Sequence, residues 1–256
     1  MTITIDLNAD LGELPGEAGR SSDRAILEHV TSCAIACGGH VGDPETMKAT
    51  LLAAAECHVA AGAHPSYPDR DGFGRRSIEL AAGELEVSLV SQMVALRDLA
   101  DAIDIPIMHV KPHGALYNDA SKNRSIAETV ISATGKVFGR STAIVCQPGF
   151  ALAEVSTEAG FSVYGEAFID RAYCADGTLV PRGDTGAVIE AIDARLQQAR
   201  DIAEKKGVRL PSGDTLALEA ATLCIHGDSP DAAETARAVK LSLESDGVKV
   251  RAPTRS

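Results

Sequence analysis

The sequence predicts an α/β fold, a seven-stranded parallel (β/α) barrel forming one domain over residues 1–256. Three observations predict it. Short apolar runs suited to buried strands alternate with amphipathic stretches long enough for helices. No Pro/Gly/Ser-rich linker or compositional break divides the chain. Polar residues fall at the C-terminal end of one strand after another, where barrels of this kind carry their active sites. With 256 residues and 45% hydrophobic content, the chain suits one barrel of about 250 residues.

The first strand covers residues 3–10, and alternation puts Ile3, Ile5 and Leu7 on one face and Asp6, Asn8 and Asp10 on the other. A helix is expected over 22–31 and a buried strand over 31–37, ending at Gly38-Gly39-His40. Asp43-Pro44-Glu45 starts a helix to about Cys57. Asp43 accepts from unpaired amides, and Pro44 fits the first helical position, where its missing donor costs nothing. Strand three, 59–63, delivers His64 to a Gly/Pro/Asp-rich loop over 65–76 that suits a lid carrying Arg70, Arg75 and Arg76. Residues 83–103 place Leu85, Leu89, Val90, Met93, Leu96 and Leu99 at helical spacing.

Strand four, 107–113, sets His109, Lys111 and His113 on one face. A helix over 120–134, strand five over 142–147, a helix over 150–159 and strand six over 161–166 follow. Residues 170–182 form a loop with an Asp176-Gly177 turn, then a helix runs over 184–205. Strand seven, 222–226, ends in His226-Gly227-Asp228. A last helix over about 230–244 and a short strand over 248–251 close the chain.

A net charge of -12 opposes binding to nucleic acid or to an anionic membrane, both of which need a basic surface. No basic segment followed by an apolar run opens the sequence, and no apolar stretch reaches the roughly 20 residues of a membrane span, so a cytoplasmic location is expected. The six cysteines lack a Cys-x-x-Cys pair and are expected to be reduced and mostly buried. Thr134-Gly135-Lys136 departs from a phosphate-binding loop, with Val130 where glycine and Val137 where Ser or Thr is required. Gly72-Phe73-Gly74 lacks the flanking strand and helix.

Five of the seven histidines lie at strand ends or one residue in, and two chemistries fit this cluster. In one, His40, His64 and either Asp6 or Asp10 hold a divalent ion such as zinc or manganese. In the other, a carboxylate is the general base, Lys111 stabilises an oxyanion or binds an anion, and a histidine relays the proton. Strand six adds Glu166 and, beyond it, Asp170; strand seven adds His226.

The runs Ile5–Glu13, Ile35–Asp43, Gly62–Arg70, Val110–Asn118, Asp170–Arg182 and Cys224–Asp228 together resemble the LamB/YcsF family, over residues 3–228. The resemblance implies a seven-stranded β/α barrel, distantly similar to polysaccharide deacetylases. It also implies the role of the A component of a prokaryotic 5-oxoprolinase, which opens 5-oxo-L-proline to L-glutamate with ATP hydrolysis. Subunits B and C would be the partners, and would handle ATP, the co-substrate, in activating the lactam. In that setting Asp6 or Asp10 orients water, Lys111, His64 and His113 offset charge, and an arginine (Arg70, Arg75 or Arg182) holds the substrate carboxylate. Asn8, His40, Glu166 and His226 complete the substrate-binding set, and His40 and His64 are the metal candidates. The alternatives are a metal-dependent amidase or deacetylase that needs no ATP, and a non-catalytic scaffold.

Overall fold

The structure is a computed structural model, and it describes residues 3–229 and 231–253. Seven parallel strands close a barrel: β1 (Thr4–Leu11), β2 (Ser32–Ala36), β3 (Ala60–His64), β4 (Ile107–Val110), β5 (Ala143–Cys146), β6 (Val163–Phe168) and β9 (Thr222–Ile225), with β9 pairing back onto β1. Helices α1 (Gly16–Leu27), α2 (Pro44–Glu56), α3 (Ala82–Asp101), α4 (Gly114–Lys122), α5 (Arg124–Phe138), α6 (Ala151–Glu158), α7 (Ile192–Ala203) and α8 (Ala232–Ser245) lie between the strands. The two-stranded hairpin of β7 (Val208–Arg209) and β8 (Thr215–Leu216) precedes β9, and β10 (Lys249–Val250) runs parallel to the start of β1. Among the described residues no helix is long and apolar enough to cross a membrane.

The strand alternation holds. Registers Asn8↔Ser32, Ala34↔Gly62, Gly62↔His109, Glu166↔Thr222 and Asn8↔Cys224 put these residues on one side of the sheet. Leu7, Ile35, Ala63, Val110, Ile144, Ala167 and Leu223 fall on the other side, within the apolar core. The inner side of this barrel is thus rich in polar groups, and the apolar core lies on the outer side. Gly62 is required there, because a Cβ would lie 2.2 Å from Nε2 of His109. All six cysteines are free thiols, and Cys33, Cys37, Cys146 and Cys224 are buried.

Several boundaries differ from the sequence reading, each for a local reason. Helix α2 starts as expected, with Asp43 accepting from the Thr46 N–H at 2.8 Å. The expected 120–134 helix is two helices, split where Asn123 accepts from the Ser125 N–H and caps α5. Helix α7 starts at Ile192, not 184, because residues 187–189 bond to 170–172 in extended form: the Ala172 N–H donates to the Ala187 carbonyl and the Ile189 N–H to the Asp170 carbonyl. The β7/β8 hairpin is absent from the sequence reading, since two-residue strands show no readable period. Helix α1 starts at Gly16, ahead of the expected 22. Pro230, where the sequence places the start of the last helix, lies outside the described residues.

Candidate active site

Lys111 is the centre of the inner cluster. Regular pairing of β4 ends at Val110, but the Lys111 and His113 N–H groups still donate to the Ala63 and Pro65 carbonyls. The Lys111 amine is 2.8 Å from Oδ1 of Asp10, 2.7 Å from Oε1 of Glu166, 3.0 Å from Oδ1 of Asn8 and 3.1 Å from Sγ of Cys224. Burial opposes its charge, yet Asp10 and Glu166 more than compensate and raise its pKa well above the ordinary value. Burial likewise works against the Asp10 charge, and the Lys111 ammonium opposes that effect, holding the carboxyl below the usual range.

Beside this cluster, Glu13, His40, His64 and His113 bring one ligand atom each within 4.8 Å of one another. Each imidazole has one nitrogen already committed. Nδ1 of His64 donates to the Lys111 carbonyl at 2.7 Å, and Nε2 of His113 to the Phe73 carbonyl at 2.9 Å. Nδ1 of His40 lies 3.1 Å from Oγ of Ser66, whose own proton goes to the Tyr67 carbonyl, so this nitrogen is the donor. The other three nitrogens, in neutral rings, then present lone pairs to Glu13. Oε1 of Glu13 is 3.1 Å from His40 and 3.3 Å from His113, while Nε2 of His64 and Nδ1 of His113 face each other at 2.9 Å. Lone pairs opposed at that distance repel unless a proton or a cation sits among them. Burial lowers the His40 and His113 pKa values to about 4 and pushes Glu13 up to about 7. The set therefore fits a divalent cation with imidazole and carboxylate ligands, each ring oriented by an outer hydrogen bond.

A cavity of about 400 Å³ opens onto both clusters; Asp10, Glu13, His64, Lys111 and His113 form its inner wall. His226 lies across from them, with Nδ1 2.7 Å from Oδ2 of Asp170 and its ring stacked on Phe168. Arg75 and Arg182 line the outer wall. Arg75 also reaches Asp228 at 2.5 Å, linking the 65–76 loop to the chain after β9. Five candidates from the sequence do not line the cavity: Asp6, Asn8, Arg70, Glu166 and the fully buried His40. Asp6 lies below the cavity, its oxygens accepting from the Thr31, Ser32 and Thr222 hydroxyls at 2.6–2.7 Å. Arg70 donates to the Gly38 and Gly42 carbonyls, away from the cavity. Asn8, which donates to Thr222 at 2.7 Å, and Glu166 act on Lys111 from the barrel interior. The 65–76 loop is tied down, since the Ala115 N–H donates to the Gly74 carbonyl and a Cβ on Gly114 would lie 2.6 Å from that oxygen.

Glu13 and Arg171 are site residues that the sequence reading does not single out. Glu13 follows Gly12, whose φ of 73° and N–H bond to Asp23 turn the chain back over the barrel mouth. Its only sequence signal is its place in the Ile5–Glu13 run.

Convergence of acids, imidazoles and an amine at the strand ends of a closed parallel barrel defines a β/α-barrel enzyme. Residues 5–256 match the LamB/YcsF family, and the chain belongs to that family. It is 42% identical over 252 residues to the A component of the 5-oxoprolinase of Bordetella pertussis, covering 98% of this chain and 100% of that one. It is equally 42% identical over 246 residues to the protein of the same name from Pyrococcus abyssi, with 96% of each chain covered. A lactam utilization protein from Thermus thermophilus superposes with a TM-score of 0.91 at 39% identity, covering 98% of this chain and 100% of that chain. A putative cellobiose-phosphate cleavage protein from Enterococcus faecalis, at 12% identity and a TM-score of 0.61, shares the fold alone.

Proposed function

We propose that this chain is the lactam-hydrolysing A component of a 5-oxoprolinase, opening 5-oxo-L-proline to L-glutamate in an ATP-dependent assembly with subunits B and C. The observation that carries the reading is Asp10 and Lys111, backed by Glu166, facing one cavity with His226, which Asp170 orients. Named relatives at 42% identity support the substrate class.

An unstrained lactam resists water at neutral pH, so phosphorylation of its oxygen by the partner subunits makes the ring carbon electrophilic. Water then adds to that carbon. Asp10, held ionised by Lys111, accepts the water proton as general base. The Lys111 ammonium faces the anionic phosphoryl group carried on the lactam oxygen. As the C–N bond breaks, the ring nitrogen leaves as an amine and needs a proton. His226 is placed to give it from Nε2 while Asp170 holds Nδ1. The acyl phosphate left behind is hydrolysed by a second water to glutamate and inorganic phosphate. Glu13, His40, His64 and His113 would hold a divalent cation, which supplies Lewis-acid polarisation of oxygen when bound. That cluster favours the second reading, a metal-dependent amidase that needs no ATP.

Reconstitution separates the readings. The purified chain is assayed for glutamate release from 5-oxo-L-proline with and without subunits B and C and ATP, before and after chelation. Release only with all components supports the proposal. Bound zinc with ATP-free turnover replaces it by the amidase. Full activity of a complex carrying Asp10→Asn would reduce the chain to a scaffold.

A further inference from the structure

Arg171 has a buried guanidinium that no carboxylate of the described residues pairs with. It is 6% exposed and lines the cavity together with Arg182. Two backbone carbonyls orient it: Nε donates to Ala187 at 3.3 Å and Nη2 to Val180 at 2.6 Å. Its chain neighbour Asp170 is engaged by His226. A buried cation without a paired carboxylate is costly: burial and Arg182 work against its charge, and nearby Asp170 offsets this only in part. A fixed guanidinium fork with donors left over is suited to a planar carboxylate.

The strand context explains why it is held so. Residues 170–173 are paired on both sides, through Arg171↔Val188 and Tyr173↔Leu179, so this wall of the cavity has a rigid backbone. We infer that Arg171 receives the α-carboxylate of the lactam acid, and thereby sets the ring carbonyl against Lys111 and the ring nitrogen toward His226. This rests on the proposed lactam reading and names the residue that would select an acidic lactam over a neutral one.

Titration calorimetry on the purified chain tests it with three probes: 5-oxo-L-proline, 2-pyrrolidinone (the same ring without the carboxylate) and inorganic phosphate. The wild-type chain is expected to favour the acid over 2-pyrrolidinone by about 10- to 100-fold, the range of a charged hydrogen-bonded pair. Arg171→Met should erase that preference while leaving 2-pyrrolidinone binding unchanged, which also reports that the variant is folded; Arg171→Lys should restore part of it. Equal wild-type affinity for acid and neutral ring overturns the inference without any variant. So does a preference that survives Arg171→Met, or phosphate binding that depends on Arg171 while the acid's does not. Failure of both lactams to bind would instead remove the lactam reading beneath it.

Discussion

Asp6 and Asp10 lie four residues apart on the same face of β1, both buried, and differ in what surrounds them. Asp6 accepts from three hydroxyls within 2.7 Å, so its demand for donors is met inside the protein. Burial still raises its pKa against those hydrogen bonds. Asp10 instead meets one ammonium, which it shares with Glu166, and the acceptor nitrogen of His64 at 3.5 Å. Below, the barrel is closed on itself; above, acceptors face acceptors and the cavity begins. What makes a buried acid available for chemistry here is the shortage of local donors, more than its burial.

Removing the shared cation strikes that contrast hardest. Lys111→Met leaves Asp10 and Glu166 buried without a partner, and is expected to cost about 3–5 kcal/mol of stability along with turnover. Thermal unfolding and the glutamate assay read both. A variant as stable as the parent would show that the two acids have another route to compensation.

The two aspartates should then separate. Asp10→Asn is expected to keep the fold and lower turnover by about 10²- to 10⁴-fold, the range of a lost general base. Asp6→Asn should do the reverse. It places an amide where three hydroxyls donate, costs about 1–3 kcal/mol, and leaves the turnover of folded protein nearly unchanged. Equal effects on turnover would merge the two acids into one role and sink the distinction.

That distinction is where the sequence stops being informative. Alternation places Asp6, Asn8 and Asp10 on one face, and the same rule aligns His109 with Lys111, so the polar face of the strands is legible from period. Closure into a barrel is not, and is expected only from the polar residues at the strand ends. Alternation says nothing of which hydroxyls arrive from the start of β2 and from β9, 25 and more residues distant, and so cannot tell a saturated acid from a needy one. Glu13 lies past a turn that a positive-φ glycine makes. Arg171 lies in an aperiodic stretch whose pairing with residues 187–189 is tertiary. Arg70 and Arg75 look alike in a charged loop, and only the carbonyls of Gly38 and Gly42 decide which one turns away.

His109 tests the boundary between the two regions more gently. It lies one layer below Lys111 on β4, fully packed, with Nε2 lacking a hydrogen-bond partner. Burial lowers its pKa from 6.5 to about 4 in the folded chain, with Lys111 acting in the same direction. A base whose folded pKa is depressed contributes stability above its unfolded value and loses it as pH falls toward the folded one. The window is therefore from about pH 6.5 down to 4, and the full shift is worth about 3 kcal/mol. His109→Phe keeps a ring over Gly62 and cannot titrate. Denaturant unfolding from pH 7.5 to 4.5 should show the variant gaining about 2–3 kcal/mol on the parent across that range. Other buried imidazoles will lower both curves together, so the gap between them is the readout; parallel curves would mean that His109 titrates alike in the folded and unfolded chain and that burial does not oppose its charge.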